Sequence, residues 1–277
     1  MKALSIAFGA YNAMLWRTLV GSGIGAAAFG AQRGRWPQRA ALRMHIWRGF
    51  IVMIMALCFF FGIARVPLAE GIALSFIAPL VALYLAAVIL KERIGREAIL
   101  SSLLGLLGVA VILGGKLGGD YDAEAPIGIA AILLSALFYA YNLILQRQQA
   151  LMAGPTEIAL FQNLSIAGML LLAAPWFAQL PSAALWPNVL ASASLAFVSQ
   201  MLLSWAYARA EAQQLIAVEY TAFIWAAIVG WMAFDEEVTL ATLAGTMLIV
   251  AGCWIATRAK PQLAEDIAEA APITPVN

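Results

Sequence analysis

The chain has 277 residues, of which 64% are hydrophobic and only 11% are charged, with a mean hydropathy of +0.88 and a formal net charge of +1. A soluble domain carries about 25% charged residues, so this chain could not cover its own surface in water. Cys58 and Cys253 each lie inside an apolar run, which excludes a disulfide framework and indicates two small buried hydrophobes. We therefore expect an all-α protein in the lipid bilayer, with no metal, no cofactor and no nucleic-acid partner.

Nine apolar runs have the length of a membrane-spanning helix, which needs about 20 mostly apolar residues. In chain order they cover residues 13–31, 46–63, 67–90, 98–115, 127–146, 156–175, 188–208, 212–234 and 238–257. The connections between them are short and carry charged residues, Gly or Pro. The last stretch, residues 259–277, is polar and acidic and contains three prolines, so it predicts a disordered tail.

The distribution of Lys and Arg orients these spans, because cytoplasmic loops carry an excess of both residues. Alternating the nine spans places most of the cations on one side. That set contains Arg33, Arg35, Arg39, Arg43, Arg48, Lys91, Arg93, Arg96, Arg147, Arg209, Arg258 and Lys260. We therefore predict an inner-membrane protein whose C-terminus is cytoplasmic.

The second half of the chain repeats the first at a spacing of about 144 residues. Matching pairs at that spacing are Ala64-Arg65 with Ala208-Arg209, Ile72-Ala73 with Ile216-Ala217, Ala78 with Ala222, Ala82 with Ala226, Glu92 with Glu236, Leu104 with Leu248, and Gly108 with Gly252. The predicted topology places Glu92 and Glu236 at opposite membrane faces, so the halves are inverted repeats. Transporters use this arrangement, because two similar halves can enclose a site at the midplane and rock around it.

Five spans per half give one repeat at 1–118 and a second at 119–258, followed by the cytoplasmic tail at 259–277. Moving the span 127–146 back by 144 residues places its counterpart before residue 3. We therefore expect the first helix of the first repeat to be missing, or reduced to Met1–Ala3, as in a late-start version of a ten-span protein. The alternative is a natural nine-span protein with its N-terminus outside.

Several motifs carry a resemblance to a known family. The segment 64–80 reads as a short helix turn followed by an Ala-rich helix with a proline in its middle, and Lys91-Glu92-Arg93 follow at its end. Two glycines mark the middle of the next helix, Gly105 and Gly108. The second half carries the counterparts Phe234-Asp-Glu-Glu-Val238, Gly245 and Gly252, and Trp16-Arg17 matches the start of a second helix. These features resemble the EamA family of the drug/metabolite transporter superfamily.

The resemblance implies ten helices in two inverted five-helix repeats, with a central cavity and alternating access. Similar proteins export amino acids and drugs, or take up metabolites such as riboflavin and S-adenosylmethionine. The substrate, the direction of transport and the coupling ion are not implied. We expect the functional unit to be a monomer, with a dimer as the alternative.

Glu219 is the residue of the span 212–234 whose insertion into the membrane costs the most free energy. A carboxylate near the bilayer centre costs about 2.5–3.5 kcal/mol, so it should face a cavity or a partner. It either contacts the ammonium group of a solute or carries a coupling proton, or it is a shallow carboxylate bonded to neighbours such as Arg17 or Arg209.

Polar and aromatic side chains on other spans suit an amphipathic solute, because such sites combine aromatic walls with a few fixed polar groups. The predicted solute-binding residues are Tyr84, Gln162, Ser199, Trp205, Glu219 and Trp225. The alternative for the aromatic ones is the interfacial belt at the membrane surface. The only histidine, His45, is interpreted as an interfacial residue rather than a proton relay.

Other function classes fit less well. An intramembrane enzyme needs a nucleophile with a base, a metal set or an acid pair, and none is visible, so we expect no enzyme and no catalytic residue. A channel would show a ring of like charges or a filter loop. The sequence favours a secondary transporter of small organic solutes, and within that class an exporter of amino acids or related amphipathic metabolites. A flippase of a lipid-linked or polyprenyl-linked substrate is the alternative, although no spare intramembrane Lys or Arg is apparent for its headgroup pocket.

Overall fold

The computed structural model describes residues 1–75, 77–85, 88–89, 95–114, 124–210, 215, 218, 221–234 and 240–257. The predictions on Lys91, Glu92, Arg93, Glu219, Asp235–Glu237, Arg258 and the tail at 259–277 lie outside these residues.

The described part of the chain consists of helices and connections, without a β-strand. The helices are α1 (Lys2–Ala31), α2 (Arg39–Ile63), α3 (Leu68–Ser75), α4 (Ile77–Leu85), α5 (Arg96–Gly114), α6 (Ala125–Ala150), α7 (Pro155–Phe177), α8 (Trp186–Tyr207), α9 (Ala222–Phe234) and α10 (Leu240–Thr257), with a 3₁₀ turn at Ala183–Leu185. Each predicted apolar run overlaps at least one of them. The prediction of an all-α protein is confirmed.

Four helical segments are long and apolar enough to cross a membrane, among the residues described. They are Arg39–Ile63, Ala125–Ala150, Pro155–Phe177 and Ala183–Tyr207. Their mean hydropathy ranges from 1.5 to 2.2, although less than half of each is buried inside the protein. An apolar surface of this kind is stable in lipid and not in water. The full count of nine spans stays a prediction.

Proline and glycine mark several helix boundaries. α6, α7 and α8 each carry a proline in the first turn, where its missing N–H has no helical partner to lose. In α1 the helix is interrupted at Phe8 and Gly9, and Gly9 has φ +84°. That left-handed conformation favours glycine, so the first turns of α1 form a separate short segment before the long helix.

One pair of helix ends recurs at the spacing of the sequence repeat. α2 ends at Ile63 and α8 at Tyr207, which are 144 residues apart. The repeated sequence thus ends a helix at the same position in both halves.

Most helices pack around α6 and α7. α2 contacts both of them, α1 contacts α7 and α8, and α3 and α4 contact α6, while α5 packs mainly on α10. A Cβ added to Gly62 of α2 would lie 2.4 Å from Cγ1 of Ile132 and 2.7 Å from the carbonyl oxygen of Gly128 in α6. A Cβ on Gly252 of α10 would lie 2.9 Å from the carbonyl oxygen of Ser101 in α5. Glycine thus allows close approach of the helices at both contacts, as is common in membrane bundles.

Candidate solute-binding site

A buried group of polar side chains lies at the end of the bundle where α2 and α7 begin and α6 and α8 end. We call this group the polar cluster. Its members are Arg48 of α2, Asn142, Gln146 and Gln149 of α6, Gln162 of α7, and Gln200 of α8. It joins four helices that are otherwise mostly apolar.

Arg48 forms the centre of the polar cluster. It follows the start of α2 by nine residues, or about 13 Å of helix, and its exposed fraction is 1%. Its Nε donates to Oδ1 of Asn142 at 2.9 Å, Nη1 to Oε1 of Gln149 at 2.5 Å, and Nη2 to Oε1 of Gln146 at 2.5 Å. The three acceptors follow one another on α6 by four and three residues, so they share one helix face.

α8 adds a fifth side chain to this arrangement. With its amide oriented so that the oxygen faces the guanidinium, Gln200 accepts from Nη1 of Arg48 at 3.2 Å and from Nη2 at 3.3 Å. The same oxygen lies 3.4 Å from Oγ of Ser204 and 3.0 Å from the terminal amide of Gln162, whose NH2 group donates to it when that amide is turned in the same way. Gln200 and Ser204 thus share a helix face, as their four-residue spacing predicts.

The polar cluster holds a positive charge among neutral groups. Within the described part of the chain, no carboxylate lies within 4.0 Å of the Arg48 guanidinium, since the ion pairs there are His45–Glu157 and Arg65–Glu124. Nε2 of Gln146 is buried and has no acceptor among the same residues. Burying a charge or an unpaired donor costs free energy, so the polar cluster has spare capacity for an anionic or accepting group.

A chain of hydrogen bonds leads from the polar cluster to a carboxylate. Because Oε1 of Gln149 accepts from Arg48, its Nε2 faces Nδ1 of His45, at 2.5 Å. Nδ1 therefore accepts, and the ring proton on Nε2 donates to Oε1 of Glu157 at 3.0 Å. His45 is fully buried and stacks on Phe161 with a centroid distance of 5.2 Å. The amide of Gln149 thus fixes which nitrogen of His45 carries the proton.

A cavity of about 280 Å³ lies deeper along the same helices. Its walls include Met55, Phe59, Ser75, Ser135, Tyr139 and Ala222. Met55 follows Arg48 by seven residues and Ser135 precedes Asn142 by seven, a spacing that keeps side chains on one helix face. The cavity is mostly apolar, and it lies about 10 Å from the polar cluster along α2.

The structure brings one of the predicted solute-binding residues, Gln162, into the polar cluster. Ser199 is on the exposed face of α8. Trp205 is 52% exposed, and the Arg209 guanidinium lies 4.4 Å from the centroid of its ring. Tyr84 and Trp225 are 70% and 65% exposed. Glu219 is outside the described residues, although Ser75, its counterpart in the sequence repeat, lines the cavity.

The structure refines three interpretations of the sequence. Arg48 was counted among the cations of the cytoplasmic side, and its side chain is buried inside α2. His45 was interpreted as an interfacial residue, and its side chain is enclosed by the protein and bonded to Glu157, while its depth in the membrane stays a prediction. The sequence showed no spare intramembrane Lys or Arg for a headgroup pocket, but Arg48 lies within a candidate span.

Two features of the sequence could have indicated the polar cluster. Arg48 lies within the apolar run 46–63, and Asn142, Gln146 and Gln149 form a polar stripe at helical spacing in an apolar helix. Their pairing could not be seen, because Arg48 and Asn142 are 94 residues apart in the chain.

Comparison with known families settles the class of protein. The model of the EamA-like transporter family matches residues 1–114 and 126–258, which is most of the chain. The chain belongs to the EamA-like transporter family. The resemblance seen in the sequence is thereby confirmed, and the family together with its named relatives consists of transporters rather than enzymes.

Individual EamA-like relatives agree with this assignment. The chain is 28% identical over 224 residues to the pseudopaline exporter CntI of Pseudomonas aeruginosa strain UCBPP-PA14, covering 80% of this chain and 77% of the relative. It is 25% identical over 194 residues to a riboflavin transporter of Vibrio cholerae, covering 69% and 63%. One crystal structure has a TM-score of 0.74 over 91% of this chain and 90% of its own, at 22% identity, which supports the fold.

Proposed function

We propose that this EamA-like protein is a secondary transporter that exports small organic solutes, of the class of amino acids or related amphipathic metabolites. The observation that carries the proposal is the polar cluster around Arg48, buried within apolar helices and followed by an apolar cavity. A site with one charged end and one apolar end suits an amphipathic solute. The relatives named as an exporter and as a vitamin transporter support a small organic substrate.

The proposed architecture is a pair of inverted repeats, residues 1–118 and 119–258, that move against each other in alternating access. Two observations support it: α2 and α8 end 144 residues apart, and the family model matches in two segments, 1–114 and 126–258. α8 contributes Gln200 to a guanidinium that is otherwise held by α6. Separation of α8 from α2 would open the polar cluster, and its return would close it.

The remaining predicted solute-binding residues belong to this proposal as parts of the route. Tyr84, Ser199, Trp205 and Trp225 are exposed, so a moving solute could contact them. Glu219 is assigned to the same route through its repeat counterpart Ser75, which lines the cavity.

The proposed location is the inner membrane of a bacterium, with a cytoplasmic C-terminus. The connection between α1 and α2 and the first turns of α2 support this, because Arg33, Arg35, Arg39 and Arg43 are all exposed there, and such clusters stay on the cytoplasmic side. A fluorescent protein fused to the C-terminus should fluoresce, and alkaline phosphatase fused there should be inactive. The reverse result would contradict the orientation.

The transport proposal is tested by uptake into liposomes that contain the purified chain. The panel consists of labelled amino acids, riboflavin and S-adenosylmethionine, each at several concentrations. Saturable uptake of an amino acid above that of protein-free liposomes is expected. Uptake of none of these compounds by correctly folded protein would contradict the proposal.

A flippase of lipid-linked substrates is the second candidate, and Arg48 is the observation that favours it. A buried guanidinium could bind the phosphate of a headgroup. Transfer of a fluorescent phospholipid or polyprenyl phosphate between leaflets, in the absence of amino-acid uptake, would select this function.

A further inference from the structure

We infer that Arg48 and Gln146 form the binding site for a carboxylate on the transported solute, and that the apolar part of that solute occupies the neighbouring cavity. The inference rests on the proposed transport function and names its substrate class, an amphipathic monocarboxylate.

The first step is the geometry of the guanidinium. Asn142, Gln146 and Gln149 hold Arg48 from one side, at 2.5–2.9 Å. On the other side the oxygen of Gln200 is shared by Nη1 and Nη2 at 3.2 and 3.3 Å. Both nitrogens of that edge can serve a carboxylate, which binds arginine through two parallel hydrogen bonds. Gln200 makes the longest bonds of the four amides, so it is the group that a carboxylate displaces.

The second step is the charge. All groups that accept from Arg48 are neutral amides, and a cation in a low-dielectric setting is stabilised strongly by an anion at contact distance. One carboxylate balances one guanidinium. A phosphomonoester carries a charge of about −1.5 to −2 at pH 7 and would leave a buried excess of negative charge, which favours a monocarboxylate over that group. A phosphodiester carries the same single charge as a carboxylate, so the experiment below includes a phospholipid.

The third step is the spare donor. Nε2 of Gln146 is buried without an acceptor among the described residues, and its amide oxygen is already fixed by Arg48. A bound carboxylate has enough lone pairs to accept from the guanidinium and from this amide together. The ligand would thus satisfy a donor that the protein alone leaves unpaired.

The fourth step is the room for the rest of the solute. The cavity of about 280 Å³ begins two helical turns from Arg48, with Met55, Phe59 and Tyr139 in its wall. That separation, about 10 Å along α2, matches a small molecule with its carboxylate at one end and an apolar body at the other.

The experiment measures uptake of two matched probes, phenylalanine and phenylalaninamide, by the full chain in liposomes. The variants are Arg48→Met and Gln146→Glu, with Arg43→Gln as the control, because Arg43 is exposed on the same helix. Gln146→Glu keeps the size of the side chain and gives Arg48 a carboxylate of the protein's own, so it should fold even if Arg48→Met does not. Folding is checked by thermal melting and gel filtration.

The inference expects wild-type and Arg43→Gln proteins to prefer the acid over its amide by at least about tenfold, as one charge-assisted contact provides. Arg48→Met and Gln146→Glu should lose that preference while they still transport the amide. Equal uptake of both probes by wild type would overturn the inference and leave the transport function in place. An equal loss of both probes in folded Gln146→Glu would also overturn it, because a structural role predicts that result.

Two further outcomes decide between the remaining possibilities. Uptake of neither probe or of any panel compound by folded wild type would overturn the proposed function and this inference with it. Transfer of a fluorescent phospholipid between leaflets that is abolished by Gln146→Glu would assign Arg48 to a lipid phosphate and overturn the carboxylate site.

Discussion

α2 and α8 occupy equivalent positions in the sequence repeat and end 144 residues apart, yet they carry different chemistry. Arg48 of α2 reaches amides on α6 and α8. Its counterpart on α8 is Ser192, whose hydroxyl donates to the carbonyl of Val189 in its own helix. Arg48 connects three helices through its hydrogen bonds, whereas the hydrogen bond of the Ser192 hydroxyl lies within one turn of its own helix.

The same asymmetry holds for the neighbours of Arg48. The counterpart of His45 is Val189, and that of Glu157 is Ala13. Gln162 corresponds to Thr18, which bonds to the backbone of its own helix. α2 and α8 thus end at matching positions of the sequence repeat, while the polar residues of α2 and α7 have no equivalent at those positions of the other copy.

Replacing Arg48 and its counterpart Ser192 by alanine should give the largest difference in the free energy of unfolding. Arg48→Ala leaves several buried amides without a donor, at about 1–3 kcal/mol for each that stays unpaired, so we expect a loss of roughly 3 kcal/mol in the free energy of unfolding. Ser192→Ala removes only a bond within one turn and should change it by less than about 0.5 kcal/mol. Unfolding by SDS titration measures both. Equal losses would contradict the asymmetry.

Gly62 offers a second comparison, because its repeat counterpart is Ala206. A Cβ at Gly62 would lie 2.7 Å from the Gly128 carbonyl oxygen, so Gly62→Ala should push α2 from α6 and cost about 1–3 kcal/mol. Gly168→Ala is the control, since a Cβ there meets nothing within 4 Å; it should be neutral or stabilise by up to about 1 kcal/mol. The same SDS titration measures both variants. An unchanged free energy of unfolding for Gly62→Ala would show that α2 and α6 are not closely packed at Gly62.

The His45–Glu157 contact should contribute less. His45 is enclosed while the Glu157 side chain is 20% exposed, so water partly replaces the carboxylate when it is removed. In a double-mutant cycle with His45→Phe and Glu157→Ala we expect a coupling energy of about 1 kcal/mol. A coupling energy of zero would mean that the hydrogen bond from His45 does not hold α2 against α7.

The smallest effect is expected at the other end of α2. Arg65 and Glu124 form an ion pair at 2.9 Å, but their side chains are 27% and 71% exposed. Exposed pairs contribute about 0–1 kcal/mol and weaken in salt. Glu124→Gln should therefore change the free energy of unfolding by less than about 0.5 kcal/mol. A loss as large as that of Arg48→Ala would mean that Arg65, after the end of α2, stabilises the protein as much as Arg48 does.

The helices could be predicted from the sequence more completely than the site. Apolar runs located all the described helices, but the run at 46–63 missed the first turns of α2, which begins at Arg39. Hydropathy follows the apolar part of a helix, whereas hydrogen bonding continues past it into polar turns. α1 shows the same difference, since its run began at residue 13 and the helix begins at Lys2.

The site was harder because its contacts are not local. Arg48 and Gln149 are 101 residues apart in the chain, and no period in the sequence reports such a pairing. The orientation of the spans was predicted from the charges of Lys and Arg alone, so Arg48 was counted as one more cation on the cytoplasmic side. Gln162 could be recognised because it and Asn163 are adjacent polar residues in an apolar helix, which is unusual whatever they contact.

The most direct test of the account is a cryo-EM reconstruction of the protein with a transported carboxylate solute bound. The account predicts density within hydrogen-bonding distance of Nη1 and Nη2 of Arg48, with the Gln200 amide withdrawn and the apolar part of the solute beside Met55 and Tyr139. A solute bound elsewhere, with Gln200 still on the guanidinium, would contradict it and leave Arg48 with a structural role.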